Sequence, residues 1–362
     1  MQNTLETGVS SVRESIESAL RDSIVSRSDS ELDLSGKIKA CRALKLIRAG
    51  QWRKAANYAL AGLSRRLGQE RVFHMPFALG LDPTNACQLS CPFCISSKPH
   101  GSDYLPFETY EAIIKRLGPW LIKVDFCTGA EPLLHPRICE MIALAKRYGI
   151  ETAIASNINH VPDPAALVSS GLDLLMMSVD GISPETYGRY RAGGDFEKVM
   201  ANMRALAAAR RRLGRNRPSL VWNYLVFSYN EHEIPEVVRL AREIGVDFVT
   251  FMAPYIPQER RAELQSSIPR FLSPGSSQPS DYCLWPWSGL LIYPTNRVCL
   301  CYEDSLALSA ADRLAEDFDG VWNGEYLRGA RRALAARGAG SGTVEGHNCG
   351  VCRRKGEINF CI

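Results

Sequence analysis

The sequence predicts an α/β protein whose main part is an open, partial (β/α)6 barrel. Six apolar segments alternate with amphipathic helical segments between residues 77 and 253. This alternation is typical of a parallel sheet with helices outside it. A helical stretch precedes the six units, and a cysteine-rich stretch follows them. We therefore divide the chain into a helical N-terminal extension (1–75), the partial barrel (76–255), a linker (256–282) and a small C-terminal domain (283–362).

The predicted strands and helices follow from the period of the apolar residues. The strands are predicted at 77–81, 122–127, 152–155, 174–179, 221–227 and 248–252. Helices between them include 107–117, 137–148, 196–213 and 234–244. In sheets of this kind the binding site lies beyond the carboxyl ends of the strands, so we expect functional residues there.

The composition excludes several classes of protein. Apolar residues make up 46% and charged residues 23% of the 362 residues, as in ordinary globular proteins. A net charge of +4 gives no case for nucleic acid or an anionic membrane as the main partner. The start lacks the features of a signal peptide, and no segment is apolar enough to span a membrane. We expect a cytoplasmic protein with twelve cysteines, whose clusters act as ligands rather than disulfides.

The N-terminal extension carries two apolar stripes at helical spacing. Val12, Ile16, Leu20 and Ile24 form the first, and Leu44, Leu46, Ile47, Trp52, Ala55, Tyr58 and Leu63 belong to the second. We expect amphipathic helices packed on the main domain. A docking module for a partner or a peptide is the functional alternative.

A loop after the first predicted strand holds Cys87, Cys91 and Cys94 in the pattern CxxxCxxC. Three soft thiolates in one small loop favour an iron–sulfur cluster or a soft metal. A four-iron cluster with three protein thiolates leaves one iron open to bind a substrate or cofactor. A zinc site is the structural alternative, and it needs a fourth ligand such as His100.

This loop resembles the signature of the radical S-adenosylmethionine (SAM) enzymes, a family with a TIM-like partial barrel. The resemblance implies a [4Fe–4S] cluster bound together with SAM. It places Phe93 near the adenine. The segment Gly129-Ala130-Glu131-Pro132 resembles the family's GGEP motif, with Ala130 in place of the second glycine. It would contact the methionine part of SAM, with Glu131 on the ammonium.

Further polar residues follow later strands of the predicted barrel. Ser156 and Ser178 come at the ends of the third and fourth strands and are candidate SAM contacts. Asp180 either faces the substrate or caps the turn at Gly181. Arg191 is a candidate partner of the SAM carboxylate, because a guanidinium matches carboxylate geometry.

A second set of cysteines lies in the C-terminal domain, around a predicted hairpin at 290–301. It resembles the auxiliary-cluster domain called twitch, or a reduced form of the longer SPASM domain. Asn296 stands where that pattern has a turn glycine, and asparagine tolerates the same left-handed backbone. The resemblance implies one auxiliary [4Fe–4S] cluster; its predicted ligands are Cys283, Cys301, Cys349 and Cys352. Cys299 competes with Cys301, because strand alternation puts both on one face. A four-cysteine zinc site is the alternative.

The resemblance implies reductive cleavage of SAM to a 5′-deoxyadenosyl radical that abstracts a hydrogen atom from the substrate. We expect oxidation or epimerisation of a sugar-like or aminocyclitol-type molecule, with Cys299 or Cys361 as candidate hydrogen donors. The alternatives are a peptide-modifying maturase and a non-catalytic, metal-stabilised binding protein. A flavodoxin- or ferredoxin-type protein would supply electrons. Tyr255, Trp285 and Trp287 are candidates to stack on the substrate.

Overall fold

The computed structural model describes residue 16 and residues 36–94, 101–126, 129–272, 283–302, 306–336 and 349. The chain forms two compact units that alternate along the sequence. Unit 1 comprises residues 1–33, 87–97 and 155–275, and unit 2 comprises residues 34–86, 98–154 and 276–362. The division into four consecutive segments remains a prediction.

Unit 2 is built on a sheet with the strand order β3-β2-β1-β7-β8-β9. The pairs β1–β2, β2–β3 and β1–β7 are parallel, and β7–β8 and β8–β9 are antiparallel. Its strands are β1 (Ala78–Leu81), β2 (Lys123–Phe126), β3 (Glu151–Ser156), β7 (Gly289–Tyr293), β8 (Arg297–Cys299) and β9 (Ser309–Ala310). Its helices are α1 (Gly36–Arg48), α2 (Trp52–Arg66), α3 (Phe107–Leu117), α4 (Ile138–Arg147), α10 (Trp285–Ser288), α11 (Arg313–Glu316), α12 (Phe318–Trp322) and α13 (Glu325–Ala336). The last two residues of β3 fall in unit 1.

Unit 1 contains three further parallel strands in the order β6-β5-β4. These are β4 (Leu174–Ser178), β5 (Ser219–Leu225) and β6 (Phe248–Met252). Its helices are α5 (Pro164–Ser169), α6 (Pro184–Tyr190), α7 (Phe196–Arg212), α8 (Ile234–Ile244) and α9 (Arg261–Leu264). Both units therefore contain the alternating strands and helices, with parallel pairing, that the sequence predicts.

The local sequence explains which residues several helices bury and where these helices begin and end. The helix α8 buries Ile234, Val237, Val238 and Ala241, which recur at one-turn spacing, and ends at Gly245 with φ 92°. A left-handed C-terminal residue is inexpensive for glycine. The helix α7 is capped by Asp195, whose side chain accepts from the Lys198 N–H at 3.0 Å.

The helices α1 and α2 form where the second apolar stripe predicts them, but they do not bury all of it. Leu44 is 49%, Leu63 51% and Trp52 63% exposed. The inward face of α2 instead uses Lys54, which donates to the carbonyls of Tyr148 and Gly149, and Asn57, which binds the Met75 backbone. Of the first stripe, Ile16 is buried, and Val12, Leu20 and Ile24 lie outside the described residues.

The segment 256–282, predicted as a linker, packs into unit 1 over its described part, residues 256–272. Ile256 and Leu264 are buried in the apolar cluster of unit 1. The segment also contains α9 and the 3-10 helices Gln258–Arg260 and Pro269–Phe271. Glu231 accepts hydrogen bonds from Ser266 and Ser267, so residues 256–272 belong to the packed body of unit 1.

The interior of unit 2 contains a fully buried arginine. Arg331 donates to the carbonyl oxygens of Pro286, Glu70 and Trp322 and to Asn323 Oδ1, and its guanidinium lies 4.7 Å from the centre of the Trp322 ring. Burial lowers its pKa to about 9.

No helix in the described part of the chain is long and apolar enough to cross a membrane.

His74, next to this arginine, predicts an acid-sensitive stability. The His74 ring is 2% exposed and packs against Trp322, with ring centres 6.0 Å apart. Burial lowers the pKa of His74 to about 4. The unfolded chain therefore binds the proton first, and stability is lost as the pH falls from about 6.5 to about 4. We expect a loss on the order of 3 kcal/mol over this range.

This expectation is checked by urea unfolding of the protein and of His74→Phe at pH 7 and pH 4.5. The phenylalanine variant keeps a ring against Trp322 and should lose most of the difference between the two pH values. His232→Gln, a change at an exposed histidine, is the matched control and should keep the full difference. An undiminished pH dependence in His74→Phe would refute the assignment.

Candidate functional site

The CxxxCxxC loop packs against a cluster of apolar side chains in unit 1. Cys91 is 6% exposed, and Cys87 and Cys94 are half-buried. The loop is held by the Ser90 N–H, which donates to the Ala192 carbonyl at 2.8 Å, and by the Cys94 N–H, which donates to the Cys91 carbonyl at 3.3 Å. The side chains that pack around it are Leu89, Phe93, Tyr190, Leu225, Phe227, Tyr229, Ile256 and Leu264. The Cys91 thiol thus lies in a water-poor environment, and those of Cys87 and Cys94 are partly open to solvent.

The donor set of this loop fits an iron–sulfur cluster. All three cysteines are thiols rather than disulfides. Within the described part of the chain, no three His, Cys, Asp or Glu side chains converge on one point to hold a single metal ion. In a four-iron cluster each cysteine binds a different iron, so its ligands need not converge in that way. The donor set therefore fits an iron–sulfur cluster, and a zinc ion with a fourth ligand remains the alternative at this loop.

A buried ion pair stands beside the loop. Arg191 Nε donates to Asp180 Oδ2 at 2.5 Å, and Asp180 is fully buried. Asp180 Oδ1 also accepts from the Leu225 N–H at 2.7 Å. Burial lowers the pKa of Arg191, but the Asp180 carboxylate outweighs this effect and the pKa is raised. The guanidinium therefore stays charged.

Arg191 also acts on the loop itself. Burial raises the pKa of the Cys91 thiol, and the nearby Arg191 cation opposes that rise. Asp180 is the buried counter-ion of this arginine, a role that the sequence analysis did not predict. The partnership of Arg191 with a SAM carboxylate remains a prediction.

Aromatic rings pack next to the loop within unit 1. Phe93 stacks on Tyr190 with ring centres 6.4 Å apart, and Tyr190 contacts Phe227 at 5.1 Å. The Arg260 guanidinium lies 5.7 Å from the centre of the Phe93 ring. Phe93 thus has one packed face, and its place beside an adenine remains a prediction.

The turn after β3 brings polar side chains to the loop. Ser156 Oγ accepts from the Ile158 N–H at 2.8 Å, so this hydroxyl shapes the turn. Asn157 Nδ2 lies 3.8 Å from Cys87 Sγ. Ser178, at the end of β4, is half-buried and aligned with Asn223 of β5. Polarity at strand ends points to these positions, but sequence alone does not connect Asn157 with Cys87.

The GGEP-like segment is described from Gly129 onward and lies in unit 2. The Gly129 N–H donates to Asp82 Oδ1 at 2.9 Å, and the Glu131 N–H donates to the carbonyl of Ala86, the residue before Cys87, at 3.0 Å. Glu131 is 1% exposed, and its Oε1 accepts from the Leu133 N–H at 3.1 Å. Among the described non-glycine residues, Ile158 and Asn296 have positive φ. The backbone at Ala130 therefore does not need the left-handed conformation that favours glycine. Asp82 was not predicted as part of the site, although an acidic residue directly after β1 is a usable signal.

The C-terminal cysteines are described only in part. The predicted hairpin is confirmed as β7 and β8, and Asn296 in its turn has φ 61°. Cys299 is fully buried, and Cys283, Cys301 and Cys349 are half-buried. Cys352 and Cys361 lie outside the described residues, as does His100. The structure therefore does not test the auxiliary ligand set.

The tryptophans near this hairpin are not stacking platforms. Trp285 is 6% and Trp287 3% exposed, and Trp287 Nε1 donates to the Gln69 carbonyl at 3.0 Å. The prediction that they stack on a substrate is wrong, because both rings are used to pack unit 2. Tyr255 is 59% exposed and remains a candidate. A cavity of about 360 Å³ lies near Cys283; it is lined by Arg65, Arg66, Leu67, Gly68, Cys283, Trp287, Leu334 and Ala335.

Comparison with known families identifies the central segment. Residues 81–241 match the model of the radical SAM superfamily. This part of the chain is a radical SAM domain, as the loop predicts. In solved structures, the fold is similar to Streptococcus suis SuiB bound to precursor peptide SuiA, with a TM-score of 0.54, 13% identity, and coverage of 77% of this chain and 71% of SuiB. This likeness confirms the partial, TIM-like α/β fold.

Curated relatives carry several different activities. The tungsten-containing aldehyde ferredoxin oxidoreductase cofactor-modifying protein of Pyrococcus furiosus is 28% identical over 194 residues, covering 50% of this chain and 53% of the relative. The GTP 3′,8-cyclase of Chlorobaculum tepidum is 34% identical over 168 residues, covering 44% and 48%. The PqqA peptide cyclase of Gluconobacter oxydans is 29% identical over 177 residues, covering 47% of each. The chain thus spans about half the length of these relatives.

Proposed function

We propose that this protein is a radical SAM enzyme that binds a [4Fe–4S] cluster through Cys87, Cys91 and Cys94. The observation that carries the proposal is the loop of three thiols packed against apolar side chains, inside the segment that matches the radical SAM family model. When bound, the cluster and SAM together supply a 5′-deoxyadenosyl radical that abstracts a hydrogen atom from the substrate.

The chain's own residues bind and orient the cluster and SAM, and they exclude water from the site. The three thiols hold the cluster, and the apolar side chains around Cys91 keep water from it. The Arg191 cation offsets part of the negative charge that the thiolates bring into a buried region. Phe93, Gly129, Ala130, Glu131, Ser156 and Ser178 are proposed SAM contacts on the strength of the family resemblance.

We further propose one auxiliary [4Fe–4S] cluster on Cys283, Cys301, Cys349 and Cys352. The hairpin that carries Cys301 and the left-handed Asn296 in its turn support this assignment. Cys301 follows the end of β8 and is half-buried, whereas Cys299 is fully buried opposite Leu291 of β7. We retain Cys301 as the ligand. Cys299 and Cys361 remain candidate hydrogen donors.

For the substrate we propose oxidation or epimerisation of a sugar-like small molecule, with peptide modification as the second candidate. The names of two similar proteins favour the peptide: a PqqA peptide cyclase, and SuiB with its bound precursor peptide. The GTP 3′,8-cyclases, by name, act on a nucleotide and so favour a small molecule. A flavodoxin- or ferredoxin-type donor is the proposed source of electrons.

The test is anaerobic reconstitution with iron and sulfide, followed by SAM and dithionite, with 5′-deoxyadenosine quantified by chromatography. We expect a brown protein that forms 5′-deoxyadenosine. Deuterium transfer into that product from deuterated sugars or from deuterated peptides would then separate the two substrate classes. A colourless protein that binds zinc and forms no 5′-deoxyadenosine with either substrate class would overturn the proposal.

A further inference from the structure

The side chain of Asn157 is built into the surroundings of the cluster loop. Asn157 follows β3 and is 6% exposed, and its Nδ2 lies 3.8 Å from Cys87 Sγ. Both residues belong to unit 1. The contact joins residues 70 positions apart, so it is a property of the fold and not of the loop.

The orientation of this amide is fixed by its other contacts. Asn157 Oδ1 accepts from Gln88 Nε2 at 2.9 Å, from the Asn159 N–H at 3.0 Å and from Asn159 Nδ2 at 3.2 Å. The backbone N–H of Asn159 can only donate, so an oxygen must face it. A flipped amide would set its NH₂ against these three donors. The NH₂ group therefore points at the sulfur.

The backbone that presents Asn157 is strained and anchored on both sides. Ile158 has φ 47° and is fully buried, although a β-branched residue rarely adopts a left-handed backbone. Ser156 Oγ accepts from the Ile158 N–H at 2.8 Å, and Asn202 Nδ2 donates to the Ile158 carbonyl at 2.7 Å. Strain that the surroundings maintain in this way is typical of functional sites.

We propose that Asn157 is a positioning residue that raises the reduction potential of the cluster held by Cys87, Cys91 and Cys94. This inference rests on the proposed function. One electron from an external reductant adds negative charge to the cluster and its thiolates. An N–H group directed at a ligand sulfur stabilises that charge, and hydrogen bonds to the sulfurs are among the determinants of cluster potential. Without this donor the cluster is harder to reduce.

The test is a redox titration of the reconstituted holoprotein with dithionite, followed by the electron paramagnetic resonance signal of the reduced cluster. The signal that disappears in Cys94→Ala identifies the cluster of the loop. Asn157→Ser removes the NH₂ group directed at Cys87 Sγ and keeps, on a shorter side chain, an oxygen for the Asn159 N–H. We expect it to lower the equilibrium constant of reduction about tenfold, which is 59 mV for one electron. Asn157→Asp keeps the acceptor and adds a charge, so its shift should be larger and of the same sign.

Asn202→Ala is the matched control, because it removes an anchor of the same turn without touching the sulfur. Its potential should shift by less than that of Asn157→Ser, because the Asn157 amide and the donors to its Oδ1 remain. An unshifted potential in Asn157→Ser, or an equal shift in Asn202→Ala, would overturn the inference. If Asn157→Asp fails to load iron, the serine variant alone decides. Failure of the proposed function is distinguishable, because then the unmodified protein would show no signal that depends on Cys94.

Discussion

Replacing Cys94 with alanine is expected to abolish the formation of 5′-deoxyadenosine and leave the auxiliary cluster loaded. Cys94 is one of three thiols in the loop, and a cluster held by only two is not retained in a form that binds SAM. The thiols proposed for the auxiliary cluster lie outside unit 1, so their iron should remain. Iron content should fall from about eight to about four per chain, and chromatography of the reaction mixture should show no product.

The matched control is Cys139→Ala, which removes a half-buried thiol from α4, outside the loop. It should keep both the iron and the activity. A protein in which Cys87, Cys91 and Cys94 are all alanine and which still cleaves SAM would refute the site. Loss of all iron in Cys94→Ala, with none lost in Cys139→Ala, would instead refute the separate auxiliary cluster.

Much of the fold is predictable because its signals are local. The helices 107–117 and 234–244 are found at the predicted residues, since amphipathic period and end signals coincide there. The segment 256–272 was harder, because proline and serine indicate a loop while Ile256 and Leu264 are buried by distant partners. The exposure of Trp52 was also unpredictable, because Lys54 and Asn57 find backbone partners that the sequence does not show.

The candidate site divides in the same way. The three cysteines within eight positions are recognisable in the sequence, because soft ligands in one short loop predict a cluster or metal site by themselves. The contact of Asn157 with Cys87 and the pairing of Asp180 with Arg191 cannot be predicted from the sequence. Each joins two segments that come close together only in the folded chain. Asp180 is predicted as a polar residue after a strand and Arg191 as a partner of a carboxylate, but only the structure shows that they pair with each other.

Replacing Arg191 with glutamine is expected to lower the free energy of unfolding by about 3–5 kcal/mol, because it leaves the carboxylate of Asp180 buried without a counter-ion. Asp180 is fully buried, so water cannot take over the role of the guanidinium. Urea unfolding of the protein without bound iron measures the effect. Arg239→Gln, which breaks exposed ion pairs with Glu236 and Glu243, is the matched control and should leave the free energy of unfolding nearly unchanged.

The pH dependence of this variant separates loss of charge pairing from loss of packing. Without Arg191, burial holds the pKa of Asp180 above its unfolded value, so the folded state binds the proton first as the pH falls. The loss of unfolding free energy relative to the unmodified protein should therefore be largest at neutral pH and become smaller in acid. Adding Asp180→Asn should recover part of the loss at pH 7, because the amide oxygen still accepts from the Leu225 N–H. A deficit that is the same at all pH values, and unrelieved by Asp180→Asn, would show that Arg191 stabilises unit 1 through packing alone.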